Sequence, residues 1–331
     1  MTDKLNDDYK MNGFTGSRTA KPPAYATSPA HPVAAAGALL RDKSQPLHIR
    51  YRALFALRNA GGEEAVSAIT SALLQEQCPL LGHECAFCLG QMGSPLADPV
   101  LQQVLMDQHR HPMVRHEAAE ALAAIASPHA ADLLRRYCDD PVPAVAHTCR
   151  LAVHSLIRGD NRNSQSFNSV DPAPAATDTD DVQLLAERLQ RTSVPLEQRF
   201  SAMFALRNKR DQCATTALAD SLVHCGDNAL LQHEVAFVLG QLQSPAGVQA
   251  LAHVLNDTNA DEMVRHEAAE ALGAIGNPDA LTILHQHKDD HSDVVRGSIR
   301  VALDMAEYEN SDQFWFLPDL VTGSGADPSR Q

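Results

Sequence analysis

The chain has 331 residues, enough for two domains at the usual size of roughly 100–200 residues each, and 44% of it is apolar with only 5% aromatic. That apolar content is mostly Ala, Leu and Val, the composition of closely packed helices, so an all-α fold is expected. A formal net charge of -14 weighs against nucleic-acid partners and favours cationic ones.

No stretch approaches the ~18–20 apolar residues of a membrane span, and the first residues lack the continuous apolar segment of a signal peptide. A cytoplasmic protein with no membrane partner is expected. Seven cysteines without a regular framework, Cys85 and Cys88 among them, read as thiols of a reducing compartment buried in the core.

In chain order, residues 1–32 form a weakly patterned N-terminal extension. Residues 33–158 carry Ala- and Leu-rich helical patterns: YRALFALRN from Tyr51, LGHECAFCLGQMG from Leu81, MVRHEAAEALAAI from Met113 and HTCRLAVHSL from His147. Residues 159–181 are rich in Asn, Ser, Asp, Pro and Ala, the composition of a flexible linker. Residues 182–309 then repeat the first set: LQHEVAFVLGQLQ from Leu231 and MVRHEAAEALGAI from Met263 follow their counterparts by 150 residues, and FALRN from Phe204 by 149. A tail, 310–331, contains Trp315.

Within each half the units recur at 33 residues, as in His83 to His116 and His233 to His266. Polar turns followed by apolar positions at helical spacing indicate two-helix solenoid repeats of the HEAT type, whose single units cannot bury their apolar stripe and must stack. The expected architecture is all-α: two pseudo-symmetric halves of about four helical-hairpin repeats each, facing across a central metal site.

The metal site is expected from a pair that occurs four times in register: His83-Glu84, His116-Glu117, His233-Glu234 and His266-Glu267. In the outer units the corresponding positions read as Arg50-Tyr51, His147-Thr148, Arg199-Phe200 and Gly297-Ser298, so the repeat fold does not require the pair. Stacked helices about 8–10 Å apart bring such arms within reach of one ion. Imidazole and carboxylate without thiolate favour iron, manganese or zinc, and two His with one carboxylate suits non-haem Fe(II). No HExxH occurs, which argues against a zinc protease: Phe87 stands four residues after His83 and Glu120 four after His116.

At these four pairs, the two LGQ segments and the two MVRHEAAEAL segments, the sequence resembles the deoxyhypusine hydroxylase family of HEAT-repeat di-iron monooxygenases, over roughly Leu47 to Met305. The resemblance implies hydroxylation of the deoxyhypusine side chain of translation initiation factor five-A, with two Fe(II) ions per chain, O₂ as co-substrate and an external electron donor. It implies His83, His116 and Glu117 for one iron and His233, His266 and Glu267 for the other. Glu84 and Glu234 would face the substrate's amine, as catalytic or substrate-binding groups, or complete the metal shell. It also implies that Gly90, Gly240, Met113 and Met263 line the substrate channel, although close helix contacts and core packing suit the same residues. Glu120 and Glu270 are candidates to orient a metal-bound imidazole. A monomer is expected. A non-catalytic protein-binding scaffold and a related repeat lyase are the rival readings.

Overall fold

The computed structural model describes residues 32–127, 130–159, 163–164, 167 and 169–310. Residues 1–31 of the extension, and the tail with Trp315, lie outside them. Among the described residues there are sixteen α-helices. They pair as hairpins: α1 (Pro32–Arg41) with α2 (Leu47–Ala60), α3 (Gly62–Gln75) with α4 (Pro79–Met92), α5 (Asp98–Met106) with α6 (Pro112–Ile125), and α7 (Ala130–Arg136) with α8 (Pro143–Arg158). After a two-residue antiparallel pair, β1 (Asn163–Ser164) and β2 (Ser169–Val170), come α9 (Val182–Gln190), α10 (Leu196–Lys209), α11 (Gln212–His224), α12 (Ala229–Leu242), α13 (Val248–Asn256), α14 (Glu262–Ile275), α15 (Pro278–Gln286) and α16 (Asp293–Asn310). No described helix is long and apolar enough to cross a membrane.

The second helix of each hairpin forms an inner layer, and its start is fixed by local chemistry. Pro79, Pro112 and Pro143 open α4, α6 and α8, where a missing N–H costs nothing. Asn228 and Asp261 cap α12 and α14 by accepting from the N–H of Leu231 and Met263. Each histidine of interest is thereby the fifth residue of its helix.

A repeated hydrogen bond sets the register of the units. The fourth residue of most inner helices donates from its side chain to the carbonyl ten residues earlier: Arg50 Nε to Leu40 at 2.8 Å, Arg115 Nε to Leu105 at 3.0 Å, Arg199 Nε to Leu189 at 2.8 Å, Gln232 Nε2 to Leu222 at 3.0 Å and Arg265 Nε to Leu255 at 3.2 Å. Arg50 and Arg199 therefore correspond to Arg115 and Arg265, not to the histidines. The outer counterparts of His-Glu are Tyr51-Arg52 and Phe200-Ser201, each one residue later than the expected pair, because the first half is one residue shorter between α2 and α4 than the second is between α10 and α12. Tyr51 and Phe200 are buried core side chains.

Inner helices stack closely through small residues. A Cβ built on Gly90 would lie 2.9 Å from the Ala121 Cα, and one on Gly240 3.1 Å from the Ala271 Cα. The halves meet at two dissimilar seams. At the first, α16 packs on α2 and α4 beside Gly297, and Arg52 donates to Asp304 from Nε and Nη2 at 3.0 and 2.8 Å. At the second, His147 at the equivalent place on α8 meets the Asn228 side chain at 3.1 Å.

Residues 169–176 depart from the expected flexible linker. Val170 N donates to Gln91 Oε1 at 3.2 Å, Arg207 pairs with Asp171 at 2.5 Å and Ala176 N donates to the Ser201 carbonyl at 2.9 Å. Polar composition signals disorder only where no buried partner awaits it, and here Arg207, fully buried, is one.

Candidate metal centre

The four His-Glu pairs converge between the halves. Ring centroids lie 5.4 Å apart within each half, for His83 and His116 and for His233 and His266. Across the halves His83 is 5.8 Å from His233 and 5.3 Å from His266, and His116 is 5.5 Å from His233. His116 and His266 are fully buried, and all eight residues of the pairs are buried.

The contacts repeat with the pseudo-symmetry. His83 Nε2 lies 3.3 Å from Glu117 Oε2, and His233 Nε2 lies 3.3 Å from Glu267 Oε2. On the opposite ring nitrogen, His83 Nδ1 is 3.3 Å from Glu84 Oε1 and His233 Nδ1 is 3.4 Å from Glu234 Oε1. Glu84 and Glu234 thus hold the outer edge of an imidazole, whereas Glu117 and Glu267 share the space in front of its Nε2.

Both ring nitrogens of His116, His233 and His266, and Nε2 of His83, make no hydrogen bond. A buried polar atom without a partner costs about 1–3 kcal/mol, so a cluster of them calls for an absent partner. All are lone-pair donors at short range of carboxylates, with no thiolate among them, which fits a first-row divalent metal. Oxygen and nitrogen donors of His83, His116 and Glu117 lie within 4.8 Å of one another, as do those of His83, His233 and His266, and those of His266, Glu267 and Glu270. The first-half trio expected from the sequence is therefore assembled. In the second half His266 groups with Glu267 and Glu270, while His233 approaches Glu267 separately.

Burial pulls the His116 and His266 rings well below the usual imidazole range. For His233 burial acts the same way, but the carboxylates of Glu234 and Glu267 beside its two nitrogens outweigh it and carry it up to about 10; His83 is raised for the like reason by Glu117 and Glu84. Burial, with the negative charge of neighbouring carboxylates, lifts Glu84 to about 7 and Glu270 to about 8. Glu84 feels Glu270 and Glu267, both from the opposite half, so the two halves form one electrostatic unit.

A cavity of about 780 Å³, mouth included, opens onto this cluster. Glu84, Glu120, Glu234 and Glu270 line it together with Phe87 and Phe237, whose rings meet edge to face at 6.0 Å. Glu270 also accepts from Ser298 Oγ at 3.2 Å and lies 3.6 Å from His266 Nδ1, a contact with no counterpart at Thr148, whose hydroxyl is buried and unbonded. Of the channel residues expected from the resemblance, Gly240 lines the cavity. Gly90 faces Ala121, and Met113 and Met263 are buried in the core, outside the cavity lining. Cys85 and Cys88 are buried and belong to no metal-type cluster among the described residues; Cys213, by contrast, is exposed.

Sequence reasoning missed the aromatic pair Phe87 and Phe237, the FALRN residues Phe55 and Phe204, and the segment Ser169–Pro172, all of which line the cavity. The phenylalanines lie inside the duplicated segments, so the duplication itself was the available signal.

Stacked hairpins around a buried His and Glu cluster define a HEAT-repeat protein with a metal-type centre between its halves. The HEAT repeats family matches residues 73–154 and 215–304, and the PBS lyase HEAT-like repeat matches residues 49–75. Deoxyhypusine hydroxylase from Homo sapiens is 48% identical over 298 residues, covering 89% of this chain and 97% of the relative. The Gallus gallus enzyme of the same name is 48% identical over 292 residues, covering 87% of this chain and 96% of the relative. The solved structure of human deoxyhypusine hydroxylase in complex with glycerol superposes with a TM-score of 0.80 at 49% identity, over 83% of this chain and 96% of that one. The chain belongs to the deoxyhypusine hydroxylase family, a family of enzymes.

Proposed function

We propose that the chain hydroxylates the deoxyhypusine side chain of translation initiation factor five-A to hypusine, with O₂, at a dinuclear non-haem iron site. The observation that carries this reading is the set of buried, unbonded imidazole nitrogens facing two carboxylates in pseudo-symmetric halves. His83, His116 and Glu117 would hold one Fe(II), and His233, His266 and Glu267 the other. Bound there, the iron pair supplies O₂ activation and the insertion of one oxygen atom into a carbon–hydrogen bond, with two electrons from an external donor.

The chain's own side chains do the rest. Glu84 orients the ring of His83 through Nδ1, and Glu234 lies 3.4 Å from Nδ1 of His233, so that in each ring Nε2 is the nitrogen turned to the metal space. Lining the cavity, the same carboxylates attract the ammonium groups of a long cationic side chain, and exclusion of water strengthens that attraction. Phe87 and Phe237 cover the aliphatic part of such an arm and keep solvent from the reacting carbon. The protein acts as a cytoplasmic monomer in this reading.

The test is to load the purified protein anaerobically with Fe(II), count metal and incubate it with reductant, air and deoxyhypusine-bearing factor. Two irons per chain and a gain of one oxygen mass on the substrate are expected. A folded chain that takes up iron yet leaves the substrate mass unchanged would sink the proposal, and one that holds no metal would favour a binding scaffold.

A further inference from the structure

One wall of the cavity belongs to neither set of stacked helices. Ser169, Val170, Asp171 and Pro172, from the segment joining the halves, line it beside the metal-centre carboxylates. This strap is held from both sides by residues of the duplicated motifs. Gln91, the glutamine of the first LGQ, accepts from Val170 N at 3.2 Å, and Gln241, the glutamine of the second, donates to Ser169 Oγ at 3.3 Å. Arg207, the arginine of the second FALRN, is fully buried and grips Asp171 through two nitrogens at 2.8 and 2.5 Å. Gln241 Oε1 accepts from the same guanidinium at 3.1 Å. Gln241, Arg207, Asp171 and Ser169 form one connected network, closed by Ser169 Oγ donating to Asp171 Oδ1 at 3.0 Å.

The seams explain why the strap lies here. At the α2–α16 seam, Asp304 pairs with Arg52 and lies 3.7 Å from His48, and Gly297 lets the helices approach. By the repeat register, the corresponding residues at the second seam are His154, Ser201, Glu197 and His147. The arginine–aspartate pair is replaced by serine and histidine, and the glycine by a histidine that needs room. Between α8 and α10 a cavity of about 550 Å³, mouth included, remains, lined by His154, Glu197 and Ser201 together with Pro172, Ala173 and Pro174 of the strap. One seam is closed by direct helix contact, while the other keeps a cavity walled in part by the strap, which continues into the metal cavity.

We propose that Ser169–Pro172 is a working wall of the active site that touches the substrate's side chain, and that Gln91, Gln241 and Arg207 are positioning residues that hold it there. The nature of the substrate rests on the hydroxylase reading above; the wall itself does not. The strap presents the apolar Val170 and Pro172 to the cavity, a surface for the methylenes of an aminobutyl arm, while Asp171 has its charge turned to Arg207.

Asp171→Asn tests this by removing the charge without changing the size, and Gln91→Ala is a second, independent way to loosen the strap. Three readouts are compared with the unmodified chain: amide exchange of residues 169–176 in the metal-free protein, the rate at which a small chelator strips iron from the loaded protein, and KM against kcat for deoxyhypusine-bearing factor. Loss of one charge-assisted hydrogen bond gives about a tenfold effect. Faster exchange, faster stripping and a raised KM are expected, with kcat changed far less. Faster exchange with unchanged stripping and KM would overturn the wall, since a loosened strap would then leave the site unaffected. Unchanged exchange in both variants would overturn the positioning roles. If the unmodified chain fails to turn over the factor, the hydroxylase reading falls, and the stripping rates still decide the wall.

Discussion

Glu84 and Glu117 hold opposite edges of one imidazole, at 3.3 Å from Nδ1 and from Nε2 of His83, and Glu234 and Glu267 do the same for His233. Only the inner edge faces the metal space, so the two kinds of carboxylate differ in what their loss removes. His116→Ala deletes a donor that has no other partner, and the variant is expected to retain about half of the metal of the unmodified chain, for one lost site of two. Glu84→Gln keeps an acceptor for the His83 N–H and all six inner donors. Its metal count at saturation should be unchanged, with affinity weakened by about 10–100-fold, as for other side chains that orient a ligand from behind. Metal titration followed by elemental analysis separates the two. A Glu84→Gln chain that loses a whole equivalent even at saturating Fe(II) would make Glu84 a ligand.

At the scale of the helix, an arginine at the fourth position of α2, α6, α10 and α14 ties its unit to the neighbours, as with Arg199, which bonds Leu189 behind it and Asp227 ahead of it at 2.7 and 2.9 Å. The guanidinium holds the Asp227 carboxyl below its ordinary range. A depressed folded pKa contributes stability that is present above the unfolded value of about 3.9 and is lost as pH falls below it. Because Asp227 is partly exposed, the contribution is small, up to about 1 kcal/mol. Asp227→Asn should therefore lower the urea midpoint at pH 7 by more than at pH 3, the deficit shrinking as pH falls from the unfolded value through the folded one. An equal deficit at both pH values would show that the ion pair is not its source.

This ladder also marks how far the sequence could be read. The four His-Glu pairs and the stacked hairpins were legible, because duplication at fixed spacing repeats both the apolar stripe and the exceptions to it. The register of α2 and α10 differs by one residue from the expectation because the first half is one residue shorter between α2 and α4, and only the bonds from Arg50 and Arg199 to carbonyls ten residues earlier, which spacing does not reveal, fix it. The strap was illegible for a related reason: Asp171 is fixed by Arg207, 36 positions away, and nothing in a polar linker announces a distant buried partner.

Across the whole molecule, neither half completes the centre, since His83 of one half lies as near to His266 of the other as to its own neighbour His116. Metal held there would join the halves as well as fill each. Away from the centre they are held by the Arg52–Asp304 seam on one side and by the strap on the other. Removing metal should loosen the inner helices α4, α6, α12 and α14 and expose seven unbonded ring nitrogens to solvent or repulsion, while the outer helices keep their hairpin partners. A ligand at 100 times its Kd adds about 2.7 kcal/mol to folding stability. For a chain of some 150–250 residues each kcal/mol moves Tm by about 2–4 °C, and a longer chain somewhat less. Chelation is thus expected to lower Tm by roughly 5 °C, reversibly on return of Fe(II), with the rise in amide exchange concentrated in those four helices. A Tm that ignores chelation, or a rise in exchange spread evenly over α1 to α16, would mean that the imidazole cluster is satisfied without an ion and that the halves are joined by their seams alone.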